Sequence, residues 1–131
     1  MDKVNWQEYL GLSSEELDEL RYVGYAYIRQ GKYDIALPIF EGLCVMDTQV
    51  VYDMQTLGAL YLQVGEPEKA LKWLDRALQI DAEHPPTLLN LAKAFFSLGR
   101  NKEGLQLVQL LKAESAPAIS NTAKALLLAY S

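Results

Sequence analysis

The sequence predicts an all-α fold, in which three helix–turn–helix repeats stack on one another and a final helix caps the stack. The first observation is a fixed spacing, because Gly31, Gly65 and Gly99 lie 34 residues apart. The second is the recurrence of large apolar residues at helical spacing on both sides of each glycine. The third is a composition of 50% hydrophobic and 22% charged residues, which is typical of a folded globular chain.

Each of the three glycines is predicted to end one helix and begin a turn, because glycine adopts the left-handed backbone conformation without steric penalty. Small residues recur on both sides of the turn and would let the two helices approach closely: Gly24, Gly58 and Ala92 before it, and Ala36, Ala70 and Gly104 after it. One repeat cannot bury the apolar stripes of both its helices, so neighbouring repeats are expected to stack.

The element boundaries follow from start and stop signals within a single domain of 131 residues. Ser13 to Glu16 form a capping-box sequence before the first repeat, and Pro85-Pro86 open the third. The predicted helices of the repeats cover 14–30 and 34–46, 50–64 and 68–80, and 86–98 and 102–113. The domain then divides into an N-terminal segment 1–13 with a short helix at 3–10, repeats 14–47, 48–81 and 82–115, and a capping helix within 116–131. The last helix, 118–130, is expected to cover the open end of the third repeat, and an alternative is that it enters a groove formed by the stacked helices.

The charge distribution argues against several classes of partner. The net charge is −5, and residues 1–50 carry all of it, with nine acidic and four basic side chains. Because no basic stripe exists, nucleic acid is not an expected partner. No apolar run is long enough to span a membrane, and the N-terminus lacks the apolar core of a signal peptide. A single cysteine is typical of a reducing cytoplasm.

The residues with reactive side chains do not form a predicted catalytic or metal site. A nucleophilic cysteine needs a neighbouring base, but the only histidine, His84, lies forty residues from Cys44. Cys44 lies on the apolar stripe of its helix and is predicted to be buried. His84 has no second histidine or cysteine to share a metal, and is interpreted as a loop residue before Pro85. Gly31-Lys32 lacks the other residues of a phosphate-binding loop. No enzyme activity, metal or cofactor is therefore expected.

The repeat resembles the tetratricopeptide (TPR) repeat over residues 17–113. The second repeat matches best, with Leu57-Gly58, Tyr61, Gly65, Ala70, Leu74 and Ala77-Leu78 at the family positions. Met54 stands where the family usually has tryptophan, and the third repeat departs further, with Ala92 and Gly104 at the small positions. The resemblance implies a right-handed superhelical stack, whose concave groove is lined by the first helix of each repeat.

A narrower resemblance lies in the stretch GKYDIALPIFEGLCVMD at 31–47, which is similar to the first repeat of the TPR chaperones of bacterial type III secretion. The matching residues are Gly31, Lys32, Tyr33, Ala36, Phe40, Leu43, Cys44 and Asp47. This resemblance implies a non-enzymatic chaperone in the bacterial cytoplasm. Its partner would be a secreted translocator, needle or export-apparatus protein, which it keeps soluble and export-competent. The assembly would be a homodimer or a heteromeric chaperone complex.

The same resemblance predicts which residues line the client-binding groove, because they are the positions on each first helix that the inter-helix stripe does not use. They are Arg21, Tyr22, Tyr25, Ile28, Tyr52, Gln55, Ala59, Leu62, Gln63, Leu89, Asn90, Lys93 and Phe96. Tyrosine and leucine would contact an extended or helical client segment, and amides would bond its backbone. Alternatively, these aromatic residues pack on neighbouring helices.

Two other binding functions remain open at this point. One is a generic TPR interaction scaffold unrelated to secretion. The other is a cochaperone that grips an acidic carboxy-terminal peptide, although the cations that such a clamp needs in the third repeat are absent.

Overall fold

The computed structural model describes residues 5–131, apart from the side chains at positions 6 and 7. This part of the chain contains eight helices and no strand, which confirms the predicted all-α class. The helices are α1 (Trp6–Leu10), α2 (Ser14–Arg29), α3 (Tyr33–Met46), α4 (Val51–Gln63), α5 (Pro67–Ile80), α6 (Pro85–Ser97), α7 (Asn101–Leu111) and α8 (Pro117–Tyr130). From α2 onwards the observed bounds agree with the predicted ones within two residues. The predicted start of the first helix at position 3 lies outside the described residues.

The helix starts have the local chemistry expected from the sequence. The Ser13 hydroxyl accepts a hydrogen bond from the Glu16 amide at 3.1 Å, and the Glu16 carboxylate accepts one from the Ser13 amide at 3.1 Å. These two bonds satisfy donors that the first turn of α2 would otherwise leave unpaired. Proline begins α5, α6 and α8, where its missing amide hydrogen has no helical partner to lose.

The turn inside each repeat has the same geometry in all three. Gly31, Gly65 and Gly99 have φ angles of 72°, 79° and 76°, in the left-handed region that favours glycine. In the first repeat, the Lys32 amide donates to the Tyr27 carbonyl at 2.9 Å and the Gly31 amide to the Ile28 carbonyl at 2.9 Å. This pair of bonds is the Schellman motif, which satisfies the last carbonyls of the helix. The predicted role of the three glycines is therefore confirmed.

Close helix packing accounts for the small residues on either side of these turns. A Cβ atom on Gly24 would lie 2.6 Å from the Phe40 ring, and one on Gly58 would lie 2.6 Å from Leu74. In the third repeat the corresponding contact is reversed, since a Cβ on Gly104 of α7 would lie 2.6 Å from Phe96 of α6. Each repeat thus places a large apolar side chain directly on the backbone of its partner helix.

Two apolar clusters make up the core of the described part of the chain. The first joins α2, α3, α4 and α5 with Ala94 of α6, and it includes Cys44, which is 4% exposed, as predicted. The second joins α6, α7 and α8 through Leu89, Ala92, Phe96, Val108, Leu111 and Ala123. Because α8 packs on both α7 and α6, the predicted capping role of the last helix is confirmed.

Candidate functional site

A cleft of about 300 Å³ opens between α2, the first residue of α3, and α4. Five residues predicted for the client groove line it: Tyr25, Ile28, Gln55, Ala59 and Gln63. Tyr33, Thr56 and Leu60 complete the lining. The walls are mostly apolar and aromatic, and two side-chain amides are available to donate and accept hydrogen bonds. This composition suits a peptide whose side chains are buried while its backbone is hydrogen-bonded.

Tyr25 is held in place as one wall of this cleft. Its hydroxyl shares a hydrogen bond with the Thr56 hydroxyl at 3.1 Å, across the gap from α2 to α4. Its ring meets the buried Phe40 ring edge to face, with centroids 5.1 Å apart. A tyrosine fixed at both ends offers a large contact area that loses little entropy on binding.

Arg21 binds three aspartates of its own chain. Its Nε lies 3.0 Å from both carboxylate oxygens of Asp53, and its terminal nitrogens lie 2.8 Å from Asp18 and 3.1 Å from Asp47. These hydrogen bonds, that to Asp53 above all, raise the pKa of Arg21. Burial raises the pKa of Asp53, and Arg21 opposes this effect. The sequence shows the Asp18–Arg21 pair at helical spacing, but no local signal points to Asp47 or Asp53.

Tyr52 and His84 form a second contact between repeats, at the first turns of α4 and α6. Their rings meet at 89° with centroids 4.6 Å apart. His84 precedes α6, as predicted, but its side chain is buried. Its Nδ1 lies 2.7 Å from the Thr87 hydroxyl, while its Nε2 has no hydrogen-bond partner among the described residues. Sequence reasoning missed this burial, because a loop histidine before proline is usually solvated.

The remaining predicted groove residues lie in three different surroundings. Tyr22 is 71% exposed and lines a separate shallow depression with Glu15, Asp18, Glu19 and Val23. Leu62 packs against the first cluster, and Lys93 is half-buried. Leu89, Asn90 and Phe96 are buried, the two apolar ones within the second cluster.

The last turn of α8 covers part of the predicted groove. The Tyr130 ring stacks on the Phe96 ring, with centroids 4.0 Å apart and planes 10° from parallel. In the described structure, the open part of the predicted surface therefore lies between the first and second repeats. The C-terminal helix both caps the stack and places one side chain over Phe96.

Two kinds of site are absent from residues 5–131. No group of three or more His, Cys, Asp or Glu side chains is arranged to hold a metal ion. None of the helices described is long and apolar enough to span a membrane.

Comparison with protein families gives one match over most of the repeats. The family model for anaphase-promoting complex, cyclosome, subunit 3 matches residues 29–111. Among curated proteins, DnaJ homolog subfamily C member 3 of Gallus gallus is 24% identical over 99 residues, which is 73% of this chain. The chain spans only about a fifth of the length of that relative, at 19%.

Comparison with solved structures gives matches over nearly the whole chain. PcrH, a protein of Pseudomonas aeruginosa, has been solved in complex with the chaperone binding region of PopD. That structure matches with a TM-score of 0.80 and 29% identity, over 92% of this chain and 94% of that one. The type III secretion chaperone SycD of Yersinia enterocolitica, in complex with a peptide of the translocator YopD, matches with a TM-score of 0.79 and 26% identity. The match covers 91% of this chain and 95% of SycD.

Proposed function

We propose that this chain, which belongs to the tetratricopeptide-type family of anaphase-promoting complex, cyclosome, subunit 3, is a type III secretion chaperone. It binds an extended or helical segment of a secreted client and keeps that client soluble and export-competent. The observation that carries the proposal is the cleft between α2 and α4, where five predicted groove residues meet in a mostly apolar lining. PcrH and SycD support it, because PcrH has been solved with the chaperone binding region of PopD and SycD with a peptide of the translocator YopD.

The size of the cleft is consistent with reversible binding. Burying three or four client side chains would contribute roughly 1.5–3 kcal/mol each, before the cost of ordering the client is subtracted. The net affinity expected is on the order of micromolar to sub-micromolar, which allows later release for export.

The wider setting belongs to the same proposal. The chain acts in the bacterial cytoplasm, without enzymatic activity, and its client is a translocator, needle or export-apparatus protein. It works as one domain with repeats at 14–47, 48–81 and 82–115, between an N-terminal segment 1–13 and a capping helix within 116–131. Its assembly is a homodimer or a heteromeric complex with the client.

A cleft-filling substitution tests the proposal. Ala59 is half-buried and lines the cleft, so Ala59→Trp would occupy the space that a client side chain needs. Ala125→Trp, at an exposed position on α8, is the matched control. Each immobilised protein is incubated with lysate of the source bacterium, and captured proteins are identified by mass spectrometry.

The expected result is a secreted partner that the unaltered chain and Ala125→Trp retain and that Ala59→Trp loses. Calorimetry with that purified partner should then show affinity at least about tenfold weaker for Ala59→Trp, if one buried side-chain contact is lost. Retention of the partner by Ala59→Trp would exclude this cleft as the client site. Retention only of proteins unrelated to secretion would favour the generic scaffold instead.

A further inference from the structure

A second cleft, of about 310 Å³, lies where the end of α3, the α3–α4 loop and α5 meet. The buried Cys44 and Met54 form its inner wall, Thr48 and Gln49 come from the loop, and Trp73 and Arg76 come from α5. It shares no lining residue with the cleft between α2 and α4, and no predicted groove residue lines it. Its volume is at the lower end of the range that small ligands occupy.

Arg76 is the charged group of this cleft. Its guanidinium carbon lies 4.6 Å from the centroid of the Trp73 ring, so the planar fork rests on the indole. Such stacking restricts the fork before any ligand arrives. Within the described residues, none of the ion pairs or side-chain hydrogen bonds involves Arg76.

A second stacked arginine in the same chain shows what Arg76 lacks. The Arg100 guanidinium carbon also lies 4.6 Å from an aromatic centroid, that of Phe95. Both ends of its fork donate to the Glu103 carboxylate, with Nε 2.9 Å from Oε1. A guanidinium group binds a carboxylate most strongly when it donates two parallel hydrogen bonds to it. Arg100 therefore has a carboxylate partner, whereas Arg76 has none among residues 5–131.

The inner wall of the cleft carries no negative charge that would repel an anion. Burial, as the largest cause, raises the pKa of the Cys44 thiol to about 12, so the thiol is neutral at physiological pH. Asp47 and Asp53, whose charges also act on this thiol, both accept hydrogen bonds from Arg21. An incoming carboxylate would meet a thiol, a thioether and an indole beside the free fork.

We propose that the cleft at Trp73 and Arg76 binds a carboxylate that is attached to an apolar group. The carboxylate lies on the Arg76 fork, and the apolar group contacts Trp73, Met54 and Ile80. The ligand is either a small organic acid or the carboxy-terminal residue of a peptide, which present the same chemistry.

Trp73 can report on this site directly. The chain contains two tryptophans, so a Trp6→Phe background leaves Trp73 as the only one. Its fluorescence is followed while 3-phenylpropionate is added, in parallel with the uncharged 3-phenylpropionamide, at constant ionic strength because salt screens exposed charges. The expected dissociation constant of the acid is on the order of 1 mM, as for other ligands of this size. The amide should bind at least about tenfold more weakly, because it cannot form the charged fork contact.

Variants separate the fork contact from non-specific adsorption. Arg76→Gln should make the acid and the amide bind equally, and Arg76→Lys should retain only part of the preference, because lysine lacks the planar fork. Arg100→Gln, at the arginine that already has a partner, should leave the preference unchanged. The thermal unfolding midpoint of each variant verifies that it is folded.

The peptide acetyl-Gly-Gly-Phe, which has a free terminal carboxylate, distinguishes between the two sources of the ligand. Tighter binding of this peptide than of 3-phenylpropionate supports a partner's carboxy-terminus, and equal or weaker binding supports a free acid. The proposal is overturned if the acid and amide bind equally to the unaltered site. It is also overturned if Arg76→Gln keeps the preference, or if no probe changes Trp73 fluorescence up to 10 mM, about tenfold above the expected constant.

Discussion

Cys44 shows how burial determines the chemistry of a side chain. Its thiol is 4% exposed within the first cluster, and burial raises its pKa to about 12. A thiolate is the nucleophilic form, so a thiol that retains its proton is inert at neutral pH. The cysteine of the stretch that resembles the secretion chaperones is therefore a packing residue.

The raised pKa of Cys44 predicts a loss of stability in alkali. The folded protein keeps the thiol proton up to about pH 12, whereas the unfolded chain loses it above its ordinary pKa near 8.5. Ionisation thus favours the unfolded state, and stability falls as pH rises from about 8.5 towards 12. The free energy of unfolding, measured in urea, should therefore fall between pH 8 and pH 10. The fall should be about 1–2 kcal/mol larger for the unaltered chain than for Cys44→Ala. If the free energy of unfolding changed with pH in the same way for both proteins, the raised pKa of Cys44 would be contradicted.

Contacts between helices depend on small residues at single positions. In the second repeat, Leu74 of α5 lies against the backbone of α4 at Gly58, where a Cβ would be 2.6 Å from the Leu74 Cδ2. Leu74 is fully buried, so it has no free space into which to move. The separation of α4 and α5 is therefore set by the absence of one methyl group.

Gly58→Ala should therefore destabilise the protein, by roughly 1–3 kcal/mol, because an overpacked core must shift its side chains or backbone. Gly42→Ala is the matched control, since a Cβ there would meet only Met46 Cε at 3.8 Å. Gly42 lies inside α3, so its replacement should be neutral or stabilising by up to about 1 kcal/mol, from helix propensity alone. Chemical unfolding of both variants measures the difference, and equal effects would contradict the packing argument.

An ion cluster links α2 to α4 across the first two repeats. Asp53 is only 1% exposed, and Arg21 is the cation that lies against it. Arg21→Met should destabilise the fold by roughly 3–5 kcal/mol, because it leaves a buried carboxylate without its partner. Arg21→Met combined with Asp53→Leu should recover much of that loss, since two apolar residues can replace a buried pair.

Denaturant unfolding of the single and double variants measures this coupling. Arg100→Met is the control, because it breaks an exposed pair with Glu103 and a contact with the Phe95 ring, and it should lower the unfolding midpoint far less than Arg21→Met. A double variant as unstable as Arg21→Met would show that the two residues do not act as a pair.

At the scale of the whole molecule, residues 5–131 contain two apolar clusters rather than one. The first spans α2 to α5 and includes Ala94 of α6, and the second depends on α6, α7 and α8 together. In a stack where each repeat contacts only its neighbours, stability is approximately a sum of local terms. The end that α8 covers should therefore unfold separately from the first two repeats when that cover is removed.

Deletion of residues 117–131 should expose the second cluster, including Val108 and Leu111, and leave the first intact. Hydrogen exchange should then show the largest loss of protection in α7 and a smaller loss in α6, whose Ala94 lies in the first cluster, while amides in α3, α4 and α5 keep most of their protection. Uniform loss of protection along the chain would instead indicate a single cooperative unit.

The helices and turns could be predicted from the sequence because their signals are local. Gly31, Gly65 and Gly99 act through their own backbone angles, and Ser13 caps a helix through bonds to residues three positions away. The repeat strengthens the glycine signal, because it occurs at corresponding positions in three repeats. The burial of Cys44 followed from its place on an apolar stripe.

The contacts between repeats could not be predicted in this way, because they depend on how the helices are arranged in space. No local pattern pairs Arg21 with Asp53, 32 positions later, or places Tyr130 over Phe96. Helical spacing places Trp73 and Arg76 on one face of α5, but the sequence does not show that they lie beside a cleft formed by parts of α3, α4 and α5. Short-range chemistry determines where each helix begins and ends, whereas the packing of whole helices determines which side chains are covered and which are left open to bind.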